Sequence, residues 1–240
     1  MAPNSKFLMQ RISEMNRTVV LLAFAAIGLI LGEVAMAIEE PRFEILEKAG
    51  EIEIRQYRPV IVAETFVDGD LDAASSTGFR LIADYIFGNN QSMRGAGGQP
   101  SEKIAMTAPV SVEPAARPEK IEMSAVVNVE PQGDSVSGTM YSKRWRVQFT
   151  MPGEYSMTTL PKPRNSAVTI RAVPGKLYAA LVFSGFAGEA KAQQKADELL
   201  VWLKARNRRV IATSQLARYN PPWTLPFLRR NEILVEIAGP

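Results

Sequence analysis

The chain changes its hydrophobic period as it runs, and the changes predict its elements. Ile52, Ile54 and Gln56 alternate with Glu51, Glu53 and Arg55, and residues 60–67 are rich in β-branched side chains. Both stretches predict strands, with Glu51 and Glu53 on a solvent face. The period then lengthens: Phe79, Ile82, Ala83, Ile86 and Phe87 fall at i, i+3, i+4, i+7 and i+8, the apolar face of a helix over about residues 72–87. Asp68, Asp70 and Asp72 stand at the turn into it, where carboxylates cap free backbone N–H groups and complement the helix dipole.

The same succession returns further on. A shift of 116 residues superposes Ile54-Arg55 on Ile170-Arg171, Ala63 on Ala179 and Gly69 on Gly185 without a gap. Residues 177–184 then read as a strand, and Ala192, Ala196, Leu199, Leu200 and Leu203 as a helical stripe. Further alternation predicts strands at residues 103–112, 121–129, 144–149, 210–219 and 232–237. Stretches bearing Gly or Pro at residues 89–101, 113–119, 130–140 and 160–165 predict loops. Two helices against many alternating strands predict an α+β fold with a largely antiparallel sheet, arranged as a duplicated unit.

Composition narrows the chemistry. With 240 residues, 46% hydrophobic and 22% charged, the chain is long enough for one substantial core. It has no histidine and no cysteine, which excludes Ser-His-Asp and Cys-His catalysis, disulfides and ordinary His or Cys metal sites. No acid–base pair stands out, and no enzymatic activity is expected. Gly95, Gly97 and Gly98 make no phosphate loop, because no Gly-Lys-Ser/Thr follows.

The N-terminus reads as a targeting element. Lys6, Arg11 and Arg17 precede an uncharged run over residues 18–32, and Ala35-Met36-Ala37 has the small residues a signal peptidase accepts. Residues 1–37 are therefore expected to be a signal peptide or an N-terminal membrane anchor, and residues 38–240 one folded domain. In either case the domain is exported, periplasmic or anchored in the inner membrane facing the periplasm. The net charge of +3 falls to +2 without the three basic and two acidic groups of that segment, which argues against nucleic acid as a partner. The basic run Lys204, Arg206, Arg208 and Arg209 fits a solvated helix end.

Four short motifs carry more. They are Lys103-Ile104-Ala105-Met106-Thr107-Ala108-Pro109-Val110, Phe149-Thr150-Met151-Pro152, Tyr219-Asn220-Pro221-Pro222-Trp223 and Arg229-Arg230-Asn231-Glu232. Their chemistry reads mainly as fold maintenance. Pro109 ends or bends a strand, the aromatic rings flanking two prolines pin an extended path, and an Arg–carboxylate pair clips a loop to the sheet. With these motifs the chain resembles the SOUL haem-binding family from about residue 43 to residue 239. The resemblance implies a distorted antiparallel β-barrel with two flanking helices, built from a duplicated βαββ unit and similar to the effector-binding domains of bacterial drug-sensing regulators. It also implies non-covalent binding of haem or another tetrapyrrole, in a pocket between the first helix and the adjoining sheet. Carried onto this chain, the pocket residues are Phe79, Ile82, Ala83 and Ile86, with Arg80 the nearest cation and Ser76 where some relatives place a basic residue. Without histidine, an axial ligand to iron falls to Tyr or Met. The alternative expectation is an envelope structural or interaction protein that kept the barrel and lost the ligand.

Overall fold

The computed structural model describes residues 38–93, 100–115 and 139–239. The predicted N-terminal segment and the predicted strand over residues 121–129 lie outside them. Eleven strands and two α-helices are described: β1 (Phe43–Ala49), β2 (Ile52–Tyr57), β3 (Val60–Asp68), α1 (Leu71–Ile86), β4 (Asn90–Gln91), β5 (Val110–Pro114), β6 (Arg144–Thr150), β7 (Lys162–Pro163), β8 (Thr169–Val173), β9 (Leu177–Phe183), α2 (Glu189–Ala205), β10 (Gln215–Arg218) and β11 (Asn231–Glu236). Nine of the strands form one antiparallel sheet in the order β1-β2-β9-β11-β10-β5-β6-β3-β8, curled into a half-barrel, while β4 and β7 pair separately. The fold is α+β, as the alternation predicts.

The strand order is symmetric. Read from β2 to β8, it is unchanged by reversal once β2, β3, β5 and β6 are exchanged with β8, β9, β10 and β11. The register follows the same rule. Ile54 pairs with Ala179, and adding 116 to the first and subtracting it from the second gives Ile170 opposite Ala63, which is the observed β8–β3 pairing.

Both helices lie on one face of the sheet. Along β6, Trp145, Val147 and Phe149 are fully buried under α1, together with Leu71, Ile82 and Ile86, and α2 adds Ala192, Ala196, Leu199 and Leu203 to the same core. Asp70 caps α1, its carboxylate accepting from the Ala73 N–H at 2.8 Å. Gly78 sets how closely α1 approaches, since a Cβ there would stand 2.5 Å from Val147.

Several expectations are corrected. Phe79 and Phe87 do not join the buried stripe of α1, and Leu71, Ala74, Gly78 and Tyr85 do. Residues 103–109 are not strand. Ile104 and Ala108 are buried there, Ala108–Pro109 is a cis peptide, and the ladder starts only at Val110. The strand expected over 210–219 is Gln215–Arg218, with Val210 in an isolated bridge to Ile237. Glu53 is buried, not solvent-facing, because the face of β2 away from the helices turns into the concave side of the curled sheet. The hydrophobic pattern does not predict β1. It is a largely exposed edge strand with a register shift between Ile45 and Glu47, which erases the period-two pattern.

Candidate functional site

The concave face carries charge where the helix face carries apolar groups. At its centre Arg55 donates to Glu232 at 2.7 and 3.2 Å, to Glu53 at 2.8 Å and to the Tyr57 hydroxyl at 3.2 Å. Glu232 also accepts from the Tyr219 hydroxyl at 2.8 Å and from Arg230 at 2.8 and 3.0 Å. Burial alone would lower the Arg55 guanidinium, but hydrogen bonding to Glu232 holds it above the ordinary arginine value. Burial likewise pushes the Tyr219 hydroxyl up, and the Glu232 carboxylate adds to the effect. Every member is paired, so this cluster is a structural clasp. It is also the Arg–carboxylate clip expected of the motif at residues 229–232. Arg229 donates to the Thr224 and Pro222 carbonyls, and Asn220 accepts from the Arg230 N–H, which ties the proline path to the sheet. Tyr219 pins that path as expected, whereas Trp223 is 82% exposed and pins nothing.

Two hollows that share part of their lining open beside this network. The inner one, about 200 Å³, is lined by Arg146, Gln148, Arg171, Lys176, Tyr178 and Gln215 among others. The outer one is a cleft of about 1020 Å³ with Pro59, Val60, Ile61, Met151, Pro152 and Pro174 among its walls. Arg58, Val60, Thr150 and Val173 border both. Two of the short motifs meet at the cleft: the Thr107 hydroxyl donates to the Thr150 carbonyl, and the Met151 N–H donates to the Ile61 carbonyl at 2.7 Å. Thr107, Thr150, Met151 and Pro152 all line it.

The cleft rim is charged. Arg42 and Arg58 are both exposed and line it, and their backbones are paired, the Arg58 N–H donating to the Arg42 carbonyl at 3.1 Å. Neither takes part in a salt bridge among the described residues. Like charges so placed repel unless an anion lies between them. Of the rim carboxylates, Glu40 is held by Arg230 at 3.0 Å and Glu39 accepts from the Gly153 N–H at 3.0 Å, while Glu154 is the third.

The residues expected to hold a ligand lie on α1. Ile82, Ala83 and Ile86 are buried in the core between α1 and the sheet. Phe79 is 38% exposed, its ring 5.6 Å from that of Phe149, and Arg80 is exposed, donating to the Thr77 hydroxyl at 3.2 Å. No residue of α1 lines either hollow. The cleft residues come from ends of strands and carry no periodic signal. The only sequence pointer to them was the pair of motifs at residues 103–110 and 149–152.

A curled antiparallel sheet backed by two helices, with a roomy cleft beside it, has the concave form in which small-ligand sites are found. Residues 38–236 match the family described as SOUL heme-binding protein, and the chain belongs to that family. No curated protein sequence matches the chain. Among solved structures, the crystal structure of the EcmrR C-terminal domain is similar over 79% of this chain and 98% of its own, at 8% identity and a TM-score of 0.52. The cryo-EM structure of EcmrR in complex with DNA is similar over 98% of this chain and 70% of its own, at 7% identity and a TM-score of 0.52. An uncharacterized conserved protein from Listeria innocua has 10% identity, covers 78% of this chain and 92% of its own, and has a TM-score of 0.47. At these identities the likeness is one of fold.

Proposed function

We propose that the protein is a non-enzymatic binder of haem or a related tetrapyrrole, acting on the exported side of a membrane as carrier, buffer or sensor, and that the macrocycle lies in the outer cleft. Its membership of the SOUL family supports the ligand class. The observation that carries the placement is the cleft itself. Its volume of about 1020 Å³ suits a large flat ligand, its walls offer Val60, Ile61, Met151 and four prolines, and Arg42 and Arg58 stand at the rim for carboxylates, in no salt bridge among the described residues. Haem, when bound, supplies a coloured iron macrocycle with two propionates. Met151 and Tyr155 are the side chains on the wall of the types that ligate iron in the absence of histidine.

Titration of the protein with haemin, followed in the Soret band, tests this. A saturable shift is expected. Replacing Arg42 and Arg58 together by Ala weakens binding roughly 2- to 30-fold, the worth of two exposed ion pairs at about 0.2–1 kcal/mol each. Phe79→Ser leaves it unchanged. Absence of any saturable shift removes the proposal, and loss of binding in Phe79→Ser alone moves the ligand back to the helix.

A second reading, an envelope interaction protein, has its own observation. Phe186, Trp223, Leu225, Phe227 and Leu228 are each more than half exposed, on the loop that the proline motif opens and beside it, where Arg229 lies over the Phe186 ring at 4.9 Å. Exposed apolar groups so grouped mark contact surfaces. Crosslinking in the host separates the readings: one partner captured by wild type and lost in Trp223→Ser, together with no haemin binding, favours the second.

A further inference from the structure

We propose that the inner cavity is a carboxylate-binding site. Arg58, Arg146, Arg171 and Lys176 line it, and among the described residues no Asp or Glu does. The acids that balance three of these cations stand behind them. Glu113 pairs with Arg146, Glu64 with Arg171 at 2.8 Å and Glu236 with Lys176 at 2.6 Å. Each pair leaves donors over. Glu64 engages the Nε and Nη2 of Arg171 and leaves Nη1, Glu113 engages the Nε and Nη2 of Arg146 and leaves Nη1, and Lys176 has two N–H groups beyond the one given to Glu236. The Tyr178 hydroxyl adds another donor, its one described bond being accepted from Gln215 at 3.5 Å. Donors and positive charge are in surplus, so the complementary ligand is an anion that only accepts. The volume of about 200 Å³ is below that of a pocket for a drug-sized molecule, which limits the occupant to a small anionic group, and a carboxylate is such a group, able to accept from a guanidinium and an ammonium at once.

Such a group has two sources. Arg58, Val60, Thr150 and Val173 line both hollows, so a tetrapyrrole in the outer cleft would hold a propionate next to the inner cavity, and in this form the inference rests on the proposed function. A free small carboxylate is the other source and is independent of it.

Haemin, haemin dimethyl ester and benzoate are titrated separately into the full chain, the first two by absorbance and the third by saturation-transfer NMR. All three titrations are repeated with Gln148→Glu, which places a carboxylate among the cations and removes none of them. If a propionate occupies the site, haemin binds about tenfold or more tightly than its ester, the contribution of one or two charge-assisted hydrogen bonds, and Gln148→Glu abolishes most of that preference while leaving the ester's affinity unchanged. If a free carboxylate occupies it, benzoate binds saturably and Gln148→Glu abolishes this. Saturable benzoate binding without haemin binding ends the tetrapyrrole reading and keeps the inner site. The site is overturned if Gln148→Glu alters neither the preference for haemin over its ester nor the binding of benzoate. Lys176→Gln, at a partly exposed position, serves as the second variant should Gln148→Glu fail to fold.

Discussion

The clasp around Glu232 sets how the last strand is held. Glu232 is fully buried and the Arg55 side chain is 3% exposed, so neither charge has water to fall back on. Glu232→Gln keeps the shape and removes the charge that three partners, Arg55, Arg230 and Tyr219, address. Breaking a buried pair costs about 3–5 kcal/mol. Arg55 keeps Glu53 at 2.8 Å and Arg230 keeps Glu40, which places the expected loss at the low end, about 3 kcal/mol. For a domain of this size that corresponds to a fall in Tm of roughly 6–12 °C. Arg55→Met is the second arm of a double-mutant cycle in urea. Because the two side chains share one network, the double variant is expected to lose at least about 1 kcal/mol less than the sum of the singles. A loss below about 1 kcal/mol in Glu232→Gln, or additivity within about 0.5 kcal/mol, refutes the reasoning.

Gly78→Ala forces a methyl group onto Val147, whose side-chain atoms stand 2.5–2.9 Å from the Cβ position, and is expected to cost about 1–3 kcal/mol in chemical unfolding; an unchanged midpoint shows that α1 lifts freely. Glu113 has a pH signature. Burial pushes its carboxyl up, only partly offset by Arg146. The folded state therefore binds the proton more tightly than the unfolded state. The group's stabilising contribution is complete below pH about 4.5, and it is lost as pH rises through the elevated folded value. Glu113→Gln mimics the protonated acid, so its stability relative to wild type should improve with rising pH across that window and then level off. A difference that moves the other way contradicts the assignment.

Much of the fold is legible in the sequence because its elements are periodic. The stripe Ala192, Ala196, Leu199 and Leu203 is the buried face of α2, and the alternation of Trp145, Val147 and Phe149 is the helix side of β6. Alternation tells which residues share a face and not whether the other face is wet. Glu53 therefore reads as solvated, although curling of the sheet buries it. The first helix misled in a similar way: Phe79 has helical spacing with Ile82, Ala83 and Ile86, yet the stripe rotates onto Gly78 and Tyr85 because the closest approach to β6 is at the glycine. The cleft was the least legible part. Arg42 and Arg58 come together only when β1 and β2 pair, and Met151 reaches Ile61 only through a long-range backbone bond.

The position of β11 has a consequence for biosynthesis. It is the last strand in the chain, yet it lies between β9 and β10 in the middle of the sheet. A nascent polypeptide thus cannot close its ladder until residue 236 has left the ribosome, and the surfaces of β9 and β10 wait unzipped until then.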